Sequence, residues 1–509
     1  MSPQKKVWKS ETRVGEEEAD DPSAIISGNG LARVAGIAPY GDRSGFIRRS
    51  QRGHLWGTPL TSRCKYASRP VGICCRILAS FFCMSAPVFV DLPLSTPTRL
   101  QVGSLVSRLL MGLCALFIFS VLSFGAVEPW SIVVLEIGAS LFFLFWATGQ
   151  VWSGRLEIRP NPLYGPILLF ALIVGLQIAL NLSAYRYGSL ESSILYLAYA
   201  MVFFVTAQSL GSESTSKIIV WIFVVFGFAL AVFAIIQDFT GNGKIYWLRS
   251  THGGWIFGPY VNHDHYAGLM EMLVPFPLIA SLGRLVTGGK RALVAFAAIV
   301  MAGSIALSQS RAGTASFLIE VAFLFAMIWK WQKRKHRLVI GLGTLCLLIF
   351  AFVVWAGTAA MWQRFAQVQE WMRVAMVKDS LKMFSHKPLL GWGFGTFPTV
   401  YPQFRSFYTN LFVNAAHNDY VQVLTETGLV GFLIVIWFIV SIYRSGLRGL
   451  SHWNDNWNQM LRLAALVGCT GILVHSFADF NLQIPANALF FYFLCAVATA
   501  NSSQRKSAE

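Results

Sequence analysis

The sequence predicts an all-α protein that crosses a membrane about twelve times and carries one long outward loop. Three observations predict it. The 509 residues are 55% hydrophobic and only 13% charged, whereas soluble domains carry about 25% charged residues. The apolar residues lie in continuous runs instead of alternating with polar ones, which argues against a closed barrel and for helices of about 20 residues each. The polar residues that follow about residue 105 are concentrated in one long interruption, between Thr358 and Gly431.

Residues 1–104 read as an N-terminal cytoplasmic segment, expected to be disordered. The first 83, rich in Gly, Arg and Ser, carry the acidic run Glu16-Glu17-Glu18 and show no sustained periodicity, the composition of a disordered segment. They lack the apolar stretch near the start that a secretory signal needs. A second reading makes Met84 the natural start and residues 1–83 a gene-model extension; native peptides from before Met84 would refute it. Apolar runs then give spans at 105–126, 131–152, 163–181, 193–210, 217–237, 265–283, 291–309, 313–330, 338–357, 428–444, 461–478 and 485–500. Residues 105–357 thus hold nine spans, 358–427 form the loop, 428–500 hold three more, and 501–509 form a cytoplasmic tail. No internal repeat is visible, which weakens an inverted-repeat transporter reading.

Charge gives the sidedness. With the N-terminus in the cytoplasm, the cytoplasmic segments after residue 83 hold eighteen Lys and Arg, against four (Arg186, Lys244, Arg249, Arg311) in the short loops opposite. This is the positive-inside bias, anchored most strongly by the tract Lys330–Arg337. The net charge of +17 therefore belongs to loops beside anionic lipid, not to a nucleic-acid module. The long loop faces outward, where nucleotide-activated donors are scarce, so chemistry there needs a membrane-borne, pre-activated donor. None of the eight cysteines forms a C-x-x-C pair, so no zinc or redox motif is present.

Several polar groups stand out from this background. His417, with Asn418 and Asp419, lies about nine residues before Glu426 and Gly428, where the tenth span begins. An imidazole titrates near neutrality and can take a proton from a hydroxyl; capping the following helix is the competing reading. Thirteen aromatics lie between Trp362 and Tyr420, and Trp362, Trp371, Trp392, Tyr401 and Tyr408 could stack on sugar rings, although interfacial anchoring explains most of them. Arg311, in the turn SQSRAG, runs against the positive-inside trend; its guanidinium suits a lipid pyrophosphate, and snorkelling to headgroups is the alternative. Arg186, Arg249, Arg364 and Arg405 are further candidates for the same anion, with Lys244 beside them. In GPYVNHDHYAG, His263, Asp264 and His265 are adjacent, which rarely suits one metal ion; Asn262 and Asp264 are read instead as capping the sixth span, with their polar groups facing a cavity. His475 and Asp479 are four apart and are expected to pair on one helix face. Glu136, Glu271 and Glu320 lie within spans, where carboxylates are costly. The glycine turn Gly391-Trp392-Gly393-Phe394-Gly395 lacks the lysine and strand of a phosphate-binding loop and reads as a flexible turn.

These pieces resemble the O-antigen ligase and O-antigen polymerase superfamily of bacterial envelope glycan enzymes. FGAVEPWS (Phe124–Ser131), GPYVNHDHYAG (Gly258–Gly268), SQSRAG (Ser308–Gly313), KPLLGWGFGTF (Lys387–Phe397), HNDYVQVLTETGLVG (His417–Gly431) and HSFADFNLQIPA (His475–Ala486) follow one another in the family's order over about residues 105–500. The resemblance implies an inner-membrane glycosyltransferase of lipopolysaccharide biosynthesis with a periplasmic active side. Its donor would be a glycan on undecaprenyl pyrophosphate and its acceptor a hydroxyl of lipid A-core, of another glycan or of a protein. It implies His417 as general base and Arg311 as the pyrophosphate ligand, and no metal or cofactor; Arg186, Arg249, Asn262, Arg364, Arg405, Asn418, Glu426 and His475, chosen from their own chemistry and placement, are the candidates for binding substrate. Asp264 stands where many relatives carry Asn, and His386 where an acidic residue is common. A polymerase extending a carrier-linked glycan is the near alternative; a small-solute transporter is the alternative from another class.

Overall fold

The computed structural model describes residues 88–91, 99–251, 254–331, 368–410, 412–448, 450 and 453–500. All described residues lie within residues 66–509. The predicted span at 338–357 and most of the Lys330–Arg337 tract lie outside the described residues.

The described chain is almost entirely helical. In order it forms α1 (Arg99–Leu122), α2 (Pro129–Trp152), α3 (Tyr164–Ala179), α4 (Arg186–Ser209), α5 (Glu213–Thr240), α6 (His263–Leu273), α7 (Pro275–Leu282), α8 (Gly288–Leu307), α9 (Arg311–Trp331), α10 (Val368–His386), α11 (Phe397–Val400), α12 (Asp419–Gly446), α13 (Trp457–His475) and α14 (Pro485–Thr499). Eleven of the twelve apolar stretches fall on these helices. Among the described residues, eight helical segments are long and apolar enough to cross a membrane, α6 and α7 counting as one; α1, α3 and α14 hold shorter apolar runs. A lipid environment demands this, because a helix satisfies its own backbone where no water is available. Two short antiparallel pairings complete the set. Val88–Asp91, in the segment read as disordered, pairs with Arg155–Ile158, and Lys244–Ile245 pairs with Arg249–Ser250.

Burial sorts the helices into two classes. The apolar window of α6–α7 is 89% buried and that of α13 is 83% buried, against 17% for α2. α13 packs on α6, α9 and α14, and α14 packs on α4. The outer helix α2 turns Val133, Ile137, Leu141, Leu144 and Phe145 outward, as a lipid-facing surface requires. Close packing replaces the hydrophobic effect as the force between such helices. At Gly468 a Cβ would sit 3.0 Å from the Met272 carbonyl oxygen, so α13 and α6 approach backbone to backbone.

From α10 up to α12, the described residues 368–410 and 412–418 form a folded cap. Ala375, Met376 and Met383 of α10 pack with Phe397, Val400, Tyr401, Phe407 and Ala416 into a second, smaller core. Asp379 holds it by accepting from the Ser406 N–H (2.9 Å) and the Tyr401 hydroxyl (3.2 Å). Tyr401 is thus a core residue, stacked on Phe397 with ring centroids 4.9 Å apart, not part of an open aromatic platform. Trp392 is half-buried, with its indole N–H on the Met383 carbonyl at 2.9 Å, and Tyr408 is exposed. Trp362 and the Trp371 side chain lie outside the described residues. Where the cap joins the membrane helix, Gly428 breaks the helical path of α12 with φ +66° and ψ −169°, a region essentially reserved for glycine. Asp419–Thr427 is therefore a short helix in its own right, and the transmembrane run begins after it.

Candidate active site

Four helix ends and the cap converge at one end of the bundle. Asn262 starts α6 as its N-cap, accepting the Asp264 N–H at 2.9 Å; this sends His263, Asp264 and His265 out from a single first turn. Ser310 starts α9, accepting the Gly313 N–H at 3.0 Å and donating its hydroxyl to Asp264 Oδ1 at 2.6 Å. Asp264 Oδ2 accepts from Arg373 Nη2 of α10 at 2.9 Å, and Arg373 Nη1 donates to the Ala478 carbonyl at 3.3 Å. Asp264 is buried, and a buried carboxylate is tolerable only with partners of this kind. One arginine from the cap thus ties α6 to the segment that follows α13.

His417 completes the cluster from the other side. Its Nδ1 lies 2.9 Å from Asp479 Oδ1, and the second oxygen of that carboxylate lies 3.5 Å from His265 Nε2. Phe480 meets both imidazoles edge to face, each with centroids 4.7 Å apart. The Asp479 side chain is fully buried and the His417 side chain 23% exposed, so the acid is sheltered while the ring reaches the surface. Burial alone would push the Asp479 carboxyl upward, but the His417 hydrogen bond and the nearby His265 and Arg373 outweigh it and hold the group well below the usual carboxylate range. With Asp479 accepting from Nδ1–H, the His417 Nε2 is the basic nitrogen. The backbone of His417 is strained: φ is +49°, a conformation uncommon outside glycine and costly without support. Asn418, the N-cap of α12, supplies part of that support, accepting from the Val421 N–H at 3.0 Å and donating to the Phe477 carbonyl at 2.8 Å.

The remaining expected site residues divide. Arg311 is the first residue of α9, next to Ser310, so its segment enters the same cluster. Arg249 is engaged elsewhere, 2.5 Å from Glu128 and 4.3 Å above the Phe124 ring. Arg186 is exposed and reaches Asn181 Oδ1 at 3.5 Å. The Arg405 N–H caps the Tyr401 carbonyl at 3.1 Å, inside the cap. Arg364 lies outside the described residues. Glu426 is buried, its carboxylate accepting the Gly395 and Phe397 N–H groups at 2.9 and 3.1 Å; the glycine turn is therefore a fixed nest occupied by the protein's own carboxylate rather than a flexible turn. His475 does not pair with Asp479. α13 ends at His475 with Ser476 as its C-cap, so a four-residue spacing no longer places both on one helix face. His475 instead binds Glu271 at 2.9 Å, both side chains fully buried.

Arg373 escaped the sequence reading. It shares a helical face with Met376, Ser380 and Met383, at spacings of three, seven and ten. Recognising Val368–His386 as a helix would have exposed it as the one basic residue on an otherwise buried stripe. Among the described residues, no group of three or more His, Cys, Asp or Glu is arranged to hold a metal ion.

Comparison with known proteins converges on the same region. Residues 296–436 match the family model for O-antigen ligase, a segment that contains Ser310, Arg311, Arg373 and His417. No curated protein matches the chain. The match supports the O-antigen ligase superfamily. Residues 296–436 are thus similar to an O-antigen ligase segment, within a chain whose several long apolar helices indicate a multi-pass membrane protein.

Proposed function

We propose that the protein is a glycan ligase, transferring a glycan from an undecaprenyl-pyrophosphate carrier to an acceptor hydroxyl, lipid A-core or similar, at the periplasmic face of the inner membrane. The observation that carries this reading is the 2.9 Å bond between His417 Nδ1 and the buried Asp479, beside the arginine-bearing segments that meet at Asp264. The acceptor hydroxyl gives its proton to His417 Nε2 as its oxygen bonds to the anomeric carbon. The bond from that carbon to the carrier pyrophosphate breaks, and configuration inverts. Asp479 fixes the ring and steadies the imidazolium. Arg311 and Arg373 offer positive charge to the departing diphosphate, as a preorganised site should.

The test is transfer by purified protein in lipid nanodiscs, with a lipid-pyrophosphate-linked glycan donor and a lipid A-core acceptor. His417→Ala and Arg311→Ala are expected to abolish transfer while membrane insertion persists; full activity in both overturns the assignment. A deletion strain separates the ligase from the polymerase: loss of ligase leaves lipid A-core uncapped, and loss of polymerase leaves a single repeat. Solute uptake by proteoliposomes would favour a transporter.

A further inference from the structure

The strained backbone at His417 needs a holder, and the hydrogen bonds trace one. Ala416, the preceding residue, donates its N–H to Gln422 Oε1 at 3.1 Å. Gln422 in turn donates Nε2 to Glu426 Oε1 at 3.4 Å. Both side chains lie on the short helix Asp419–Thr427, one turn apart and buried. The Glu426 carboxylate is fixed by the Gly395 and Phe397 N–H groups, and its backbone oxygen by the Gly393 N–H at 2.9 Å and Gln177 Nε2 at 3.0 Å. Gln177 also accepts the Phe394 N–H at 3.1 Å. A glycine turn, a carboxylate and an amide thus form a continuous line from α3 to the peptide before the imidazole.

We propose that Glu426 is a positioning residue: through Gln422 it transmits the fixed geometry of the Gly393–Phe397 turn to the Ala416–His417 peptide, and so sets where the imidazole stands. This explains why a buried carboxylate sits nine residues from His417, with its oxygens committed to backbone N–H groups rather than exposed to a substrate. It also explains the glycines. Gly393 and Gly395 have φ of +117° and +73°, and those values let the Gly395 and Phe397 N–H groups converge on the carboxylate while the Gly393 N–H takes the backbone oxygen of the same residue, an arrangement akin to an anion-binding nest. The inference rests on the reading of His417 as the general base.

Glu426→Gln and Gln422→Leu test it in the same nanodisc assay, with amide exchange across residues 412–425 measured alongside. A base displaced by about 1 Å loses about 100-fold in rate. Both variants are therefore expected to lower kcat by about that factor, to leave the donor KM within about twofold, and to speed exchange in this segment alone. Unchanged kcat and exchange overturn the inference, as does a parallel loss of kcat, donor affinity and thermal stability. His417→Ala separates the two levels. If it is inactive while the Glu426 and Gln422 variants match wild type, only this inference fails. If it is active, the assignment of His417 as general base fails, and segment exchange still reports whether Glu426 holds the backbone.

Discussion

The two ends of the helix bundle use arginine in opposite ways. At the end away from the cap, arginines close helices. Arg159 donates to the Leu210 carbonyl at 2.6 Å, Arg291 to those of Val286 and Gly283 at 2.9 and 2.7 Å, and Arg462 to those of Ala498 and Ser445. Apart from Val286, in the loop after α7, these carbonyls belong to the last turn or C-cap of a helix, where carbonyls lack intrahelical partners and cations favour the helix dipole. At the cap end, Arg373 binds the Asp264 carboxylate across elements 109 residues apart, beside a strained histidine. One end spends its charge on the chain itself. The other gathers acids, imidazoles and a guanidinium that a substrate could enlist.

Variants can break or sharpen that contrast. The largest expected effect is on rate: His417→Ala should lower transfer by about 10²–10⁴-fold, the range of general base catalysis, with membrane insertion retained. Asp479→Asn should cost about 10³-fold, because the amide no longer selects the tautomer with Nε2 free. Arg373→Ala should raise the donor KM and lower kcat by a combined factor of about 10–100, the yield of losing one or two charge-assisted bonds. At the opposite end, Arg462→Met should leave kcat intact while lowering stability by about 1–3 kcal/mol, because it strips a donor from buried carbonyls. Arg291→Ala, at an exposed site, should cost about 0.5 kcal/mol, read as a small drop in Tm. Catalytic loss from Arg462→Met, or stability loss without rate loss from Arg373→Ala, would dissolve the contrast.

The acid limb of stability offers a further check. The folded-state carboxyl of Asp479 titrates below its unfolded value of about 3.9. Its contribution is therefore present above that value and fades as pH falls through the folded one. Thermal stability of wild type and Asp479→Asn should converge in strong acid; a gap that widens there would contradict the ionised assignment.

The membrane helices were legible because long apolar runs have no other stable form in lipid. Asn262 was legible as a cap because Asn before a helical run accepts a free N–H of its first turn. The cap's interior was not: α10 is too polar to show an apolar run, so Arg373 passed for one loop arginine among several. The expected pairing of His475 with Asp479 failed for a local reason, since a helical spacing was applied across a helix end. The nest around Glu426 depends on positive φ values at Gly393 and Gly395, which a glycine allows but does not announce.

Asp479 lies beyond α13 and is bonded to a histidine 62 positions earlier. During synthesis, therefore, Asp264, His265, Ser310, Arg373 and His417 all emerge before the carboxylate that His417 binds. A nascent chain holding its first eleven apolar segments already carries the arginines yet lacks that carboxylate. On the proposed reading, activity would begin only when α13 folds against α12 and brings Asp479 to His417.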